Sequence, residues 1–370
     1  SVEAKPYLTG VCSGSTGSGF FINSSGHIAT NGHVASADPK DIIISDAVNM
    51  LVKGDTRYFK YIASVAGVVD ADIAGAKSNN EAIEIIVDKM YKIDDSKITV
   101  TNNVTNLLVG LNEKQPDIEE LLKVTKARQS YPEQDSVKAA KVVDKDYRVI
   151  DGITQFKSSD VAIIKIEGSN YPVTKLGSID GLSQGASLLI LGYPGSAGNN
   201  GLVESSESKP TLTSGKVSAV KSAKGSEKKL IETDTTIGHG NSGGPAFDST
   251  GNVVGIATYT VAGAGEGNGT FNYVRDIKDL KDLASKASVT IDPKSATQTE
   301  WDKGIDLFYN SRYSKAVKSF SKVKSLYPAH PKADELIAVA NERIKSGQDI
   351  KDFPYLIVVI AVASLGGIGA

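Results

Sequence analysis

Two stretches of this chain, residues 7–37 and roughly 136–285, consist of short apolar runs cut at close intervals by Gly, Ser, Thr and Asn. Such runs are too brief for helices, and their Val, Ile and Thr content suits a pleated surface. The segment SGSTGSGFFINSSGHIATNGHV (13–34) reads as two short strands around an Asn-Ser-Ser-Gly turn. VAIIKI (161–166), ASLLILGYP (186–194), GKVSAV (215–220), KLIETD (229–234) and GNVVGIATY (251–259) are further strand candidates. Many strands at such spacing point to a barrel or sandwich and not to alternating βαβ units.

A different texture interrupts this pattern. In NEAIEIIVDKMY (80–91), Ile83, Ile86, Val87 and Met90 recur at helical spacing. Pro116 opens PDIEELLKVTKA, whose first turn is acidic, a helix start. Segments 39–96 and 111–135 are therefore expected to be mainly helical insertions into a β domain spanning 1–290, with Lys97–Val100 a strand between them. From about 296 the chain turns helical again. Gly304, Ala316, Phe320 and Pro328 have the internal spacing of a tetratricopeptide repeat, and Ala338 falls where a second repeat would place its small residue. Residues 296–349 are thus expected to form a small repeat-like module that docks a protein partner. Residues 353–370 carry no charge and would cover about 27 Å as a helix, which reads as a membrane span.

Charge excludes some functions. Lys+Arg 41 against Asp+Glu 43 leave a net charge of -2, so no nucleic-acid partner is expected. The single cysteine, Cys12, excludes an intramolecular disulfide and reads as a small buried hydrophobe. Four histidines with one cysteine show no HExxH or CxxC spacing, so neither a metal nor an organic cofactor is expected.

The segment GHGNSGGPAF (238–247) carries the strongest chemical signal. A serine hydroxyl is a poor nucleophile at neutral pH and needs an adjacent base and dipoles that hold the oxyanion. Glycines around Ser242 permit a tight turn, and the amides of Gly240 and Ser242 would form the oxyanion hole. His33, in IATNGHV, supplies an imidazole, whose pKa near neutrality suits a base. Asp160, in SSDVAIIKI, stands at the mouth of an apolar strand, where a carboxylate can orient that ring. The acidic competitors Asp144, Asp146 and Asp151 sit in a polar stretch and read as solvated.

These segments, in the order His, Asp, Ser, resemble the trypsin-like peptidases and more closely their HtrA/Deg branch. The resemblance runs over most of 7–37 and 97–285, through GSGFFI, TNGHV, KITV, AAKVVDKD, SSDVAIIKI, QGASLLILGYPG, TSGKVSAV, ETDTTIGHGNSGGPAF and GNVVGIAT. It implies a mainly β fold of two perpendicular six-stranded β-barrels with the site in the cleft between them. It further implies a serine endopeptidase acting through a His33–Asp160–Ser242 triad on protein or peptide substrates, in quality control or regulated proteolysis. The residue six before the nucleophile, Thr236, would lie at the base of the P1 pocket, with Ile237, Ile256 and Ala257 as further substrate-binding residues. No acid stands there, which implies a small or medium aliphatic P1 residue.

Three departures stand out. His33 and Asp160 are 127 positions apart, more than is usual for that branch, and the helical insertions account for it. The PDZ domain of HtrA relatives gives way to the helical module and apolar tail. Gly238 and His239 replace the usual residues before the nucleophile. Chain position suggests a membrane-anchored protein of the cell envelope with its protease domain outside the cytoplasm. The competing account is a silent protease-fold scaffold that presents the helical module. His330, between Pro328 and Pro331, reads as a linker residue.

Overall fold

The structure, a computed structural model, describes residues 16–35, 67–91, 106–111, 118–147 (except 128, 133 and 135), 158–193, 209–262 (except 224, 225 and 239) and 270–351. It divides into two compact units, residues 1–294 and 295–370.

In the first unit, strands β1 (Phe20–Phe21), β2 (His27–Asn31), β3 (Leu108–Gly110), β4 (Val137–Asp146) and β5 (Val161–Ile166) form an antiparallel sheet in the order β1-β2-β5-β4-β3. The turn joining β1 to β2 is tied by Asn23, whose Oδ1 accepts the amides of Ser25 and His27 at 3.2 Å. The run VAIIKI becomes the central strand β5 because a strand covered on both faces must be apolar throughout. Its Val161, Ala162 and Ile163 are fully buried.

Strands β6 (Ser187–Gly192), β7 (Thr211–Ser222), β8 (Lys229–Thr233), β9 (Pro245–Phe247), β10 (Val253–Ala262) and β11 (Thr270–Asp276) close a barrel in the order β10-β11-β8-β7-β6-β9. Its core holds Leu188, Ile190, Val217, Ile231, Val254 and Val274. The mainly β, two-part fold followed by helices agrees with expectation: among the described residues one six-stranded barrel closes, and the other half shows five strands.

Helix α1 (Gly32–Ala35) is one turn at the end of β2. Helices α2 (Asp70–Ile73), α3 (Asn79–Tyr91) and α4 (Ile118–Lys126) fall within the two stretches expected as insertions. The proposed strand at Lys97–Val100 lies outside the described residues. Helix α5 (Ile277–Lys286) follows β11 directly, and its N-cap Asp276 accepts the Lys278 amide at 2.9 Å. Its Ile277, Leu280, Leu283 and Ala284 pack with Phe20, Ile22, Ala29, Val161 and Ile163. At about 25 cal/mol per Å² of apolar surface, such a helical stripe contributes several kcal/mol toward holding β5 in place.

The second unit contains α6 (Ala296–Tyr309), α7 (Tyr313–Leu326) and α8 (Ala333–Lys345). Helices α6 and α7 meet closely at Gly304, where an added Cβ would lie 2.5 Å from the Phe320 ring. His330 is no bare linker: its ring lies 4.2 Å from that of Trp301. Among the described residues no helix is long and apolar enough to cross a membrane, and residues 353–370 lie outside them.

Candidate active site

Residue 33 enters the site because β2 ends at Asn31 and α1 turns the chain toward the mouth of β5. There Asp160 meets it through both carboxylate oxygens. Oδ1 accepts the His33 backbone amide at 2.8 Å, and Oδ2 lies 2.8 Å from His33 Nδ1. A carboxylate only accepts, so Nδ1 carries a proton and Nε2 is left as the ring's basic nitrogen. The Asp160 carbonyl in turn accepts the Gly32 amide at 3.1 Å and Asn31 Nδ2 at 2.8 Å. Burial opposes a charge on His33, but the hydrogen bond and negative charge of Asp160 outweigh it and raise the imidazole above its usual 6.5.

Asp160 is 3% exposed and has a left-handed backbone, φ 54°. A non-glycine residue in that region costs about 1 kcal/mol or more, so its surroundings must hold it there. Its amide donates to the Asp146 carbonyl at 2.9 Å. One residue earlier, the amide and hydroxyl of Ser159 both donate to Asp146 Oδ2, at 2.9 and 2.6 Å. The expectation that Asp144 and Asp146 are merely solvated is therefore corrected. Asp146 braces the Asp160 loop and pairs with Lys228 at 2.6 Å, and Asp144 pairs with Lys286 at 3.0 Å. Both acids belong to strand β4, whose ladder with β5 runs past the site. Asp151 lies outside the described residues.

The Ser242 turn comes from the barrel half, between β8 and β9. Gly240 and Gly243 both have positive φ, 97° and 88°. The turn is closed by Asn241 N to the Gly238 carbonyl at 3.0 Å and Gly244 N to the Asn241 carbonyl at 2.8 Å. It is pinned to β10 by paired bonds, Gly243 N to Ala257 O and Ala257 N to Gly244 O, each 2.9 Å. A Cβ at Gly243 would lie 2.2 Å from the Ser18 carbonyl oxygen and 2.3 Å from Thr30 Oγ1. Backbone thus approaches backbone where only glycine fits, and the turn is seated against the residues that lead into His33.

Ser18 rivets the two halves together. Its amide donates to the Ser242 carbonyl at 2.8 Å, and its hydroxyl donates to the Gly240 carbonyl at 2.6 Å while accepting the Tyr193 amide at 2.8 Å. Its own carbonyl accepts Thr30 Oγ1 at 2.7 Å. Among the described residues, the amides of Gly240 and Ser242 donate to no acceptor. No hydrogen bond joins His33 to Ser242 among those residues; such bonds are often long in unliganded sites and tighten with substrate.

The remaining expected residues divide. Thr236 is exposed, and its carbonyl accepts Thr213 Oγ1 at 3.1 Å. Ile237, Ile256 and Ala257, expected to line a pocket, are 6%, 0% and 0% exposed. Their side chains belong to the two hydrophobic cores, which corrects that assignment. Strand periodicity already points alternate side chains inward, and residues 256 and 257 straddle the junction of the two cores. Sequence reading missed Ser18 and Thr258. Thr258 sits at a β-bulge in β10 and accepts Asn31 Nδ2 at 3.0 Å, a position that strand propensity does not reveal.

Comparison with known proteins adds to this picture. Residues 94–256 match the family of trypsin-like peptidase domains. That stretch includes Asp160 and Ser242; His33 lies before it, brought in by the fold. A "probable periplasmic serine endoprotease DegP-like" of Pseudomonas fluorescens is 38% identical over 109 residues, 28% of this chain and 21% of that protein. "Serine protease HTR4" of Bos taurus is likewise 38% identical over 109 residues, 28% of this chain and 20% of that protein. This chain therefore spans only about a fifth of the length of these curated relatives. The solved structure "HtrA-type protease AlgW with decapeptide" aligns at 20% identity and a TM-score of 0.38, covering 73% of this chain and 51% of that one. Residues 94–256 are thus similar to trypsin-like peptidase domains, and the matched relatives are serine proteases of the DegP and HTR4 kind.

Proposed function

We propose that this chain is a serine endopeptidase in which Ser242 is the nucleophile, His33 the general base and Asp160 the residue that orients the base. The observation that carries the reading is the two-oxygen grip of Asp160 on His33, beside a turn whose Gly240 and Ser242 amides have no acceptor among the described residues. In this mechanism His33 Nε2 takes the hydroxyl proton as Ser242 Oγ bonds to the scissile carbonyl carbon. The two amides receive the oxyanion, a contribution of about 10²–10³ in rate for each donor. The imidazolium then returns the proton to the leaving amine, and the acyl-enzyme is hydrolysed by the same relay with water as nucleophile.

Thr236, exposed and uncharged, supports a small or medium aliphatic P1 residue, because no carboxylate at that position would pair with Lys or Arg. The relatives named as periplasmic serine endoproteases support a place in the cell envelope, and in this reading the enzyme serves protein quality control or regulated proteolysis there. In that reading residues 296–349 dock a protein partner and residues 353–370 hold the membrane. Fluorophosphonate labelling of the full chain tests the function. Modification at Ser242, abolished in Ser242→Ala, is the expected result; an unlabelled Ser242 would leave a scaffold.

A further inference from the structure

The most unusual charge in the first unit is not in the triad. Arg275, at the end of β11 in the barrel half, is 0% exposed. A buried guanidinium is tolerated only where hydrogen bonds and counter-charges replace its water. Here Nε donates to the Ser159 carbonyl and Nη2 to the Ser158 carbonyl, both at 2.8 Å, and Asp279 Oδ2 lies 3.0 Å from Nε. Ser158 and Ser159 are the two residues that lead into Asp160. From the other side Asp146 takes both Ser159 donors, and Lys228, just before β8, pairs with Asp146 at 2.6 Å and reaches Asp279 at 3.8 Å. Asp160 is thus held in its left-handed backbone between one clamp on the preceding carbonyls and another on the preceding donors.

We infer that Arg275 and Asp146 are positioning residues, which act on the reaction by holding Asp160 in the one backbone conformation that lets both its oxygens reach His33. The inference rests on the catalytic reading above and extends it. Because Arg275 and Lys228 come from the barrel half while Asp146 and Asp160 come from the sheet half, the triad acid is set by the fit between the halves. Among the described residues, the groups facing His33 are the Asp160 carboxylate and the Tyr147 ring, and those facing the clamp are Asp146, Lys228, Arg275 and Asp279.

The test uses the full chain with Arg275→Met, Arg275→Lys and Asp146→Asn. Peptide hydrolysis should show kcat reduced by roughly 10–100-fold in Arg275→Met and Asp146→Asn with KM within about twofold, and partial rescue in Arg275→Lys. The His33 ring should titrate lower by about one pH unit in the impaired variants, because a loosened Asp160 no longer offsets burial. That titration is read by imidazole NMR in a Ser242→Ala background, so it needs no turnover. Should wild-type enzyme prove inactive and unlabelled at Ser242, the catalytic reading fails while the His33 titration still decides the clamp. If Arg275→Met does not fold, Arg275→Lys and Asp146→Asn decide. Wild-type kcat and unchanged His33 titration in folded variants, or a lowered melting temperature alone, would overturn the inference.

Discussion

Asp160 grips His33 at two points, with Oδ1 on the backbone amide and Oδ2 on ring Nδ1, each at 2.8 Å. One carboxylate therefore fixes both where the ring starts and which way it turns. This is a stronger constraint than a single ring contact, since rotation about either bond breaks the other.

Asp160→Asn separates these two tasks. The amide side chain can still accept from the His33 backbone through its oxygen, so the fold should persist. Its nitrogen then faces Nδ1 and favours the wrong tautomer, and turnover should fall by about 10⁴. Circular dichroism and single-turnover hydrolysis check the pair. Activity within tenfold of wild type would remove Asp160 from the mechanism.

The raised pKa of His33 has a direct consequence for pH dependence. A general base works in its neutral form, so kcat/KM should rise with pH through a midpoint above 6.5. Folding favours the protonated ring, so its stabilising contribution is complete below about pH 6.5 and is lost as pH rises through the folded-state value. Maximal turnover and maximal His33-linked stability should therefore lie on opposite sides of that midpoint. A kcat/KM profile with its acidic limb centred below 6.5 would contradict the arrangement.

The helical unit carries its own reporter. Trp301 is the chain's one tryptophan, and burial against it lowers His330 to about 4. Folding here favours the neutral ring, so the unit should lose stability as pH falls from 6.5 toward 4, with no further loss from this group below that. Protonation places a cation on the indole face, and Trp301 emission should change with a midpoint near 4. His330→Phe should abolish that step and raise the melting temperature of the unit at pH 4 to 5. A midpoint near 6.5 would mean that His330 is solvated.

Much of this was legible along the chain because the signals are local. Alternation and turn residues marked β1, β2, β5 to β8 and β10, helical spacing marked α3, a proline and acidic first turn marked α4, repeat spacing marked the helices after 296, and glycines marked the turn at Ser242. These depend on the nearest few residues, whose sterics and periodicity do not wait for the fold. The pairing of His33 with Asp160 could be anticipated from residue type, but not the left-handed backbone that makes the double grip possible. Residue types were equally silent on Arg275, whose hydrogen-bond acceptors Ser158 and Ser159 lie more than a hundred positions away, and on Ser18, which ties the residues before β1 to the Ser242 turn. The same holds for Ile237 and Ile256, which periodicity allows to face either a cleft or a core, and which packing assigns to the cores. Burial and long-range hydrogen bonds are properties of assembled surfaces, so their consequences appear once the sheet and the barrel have met.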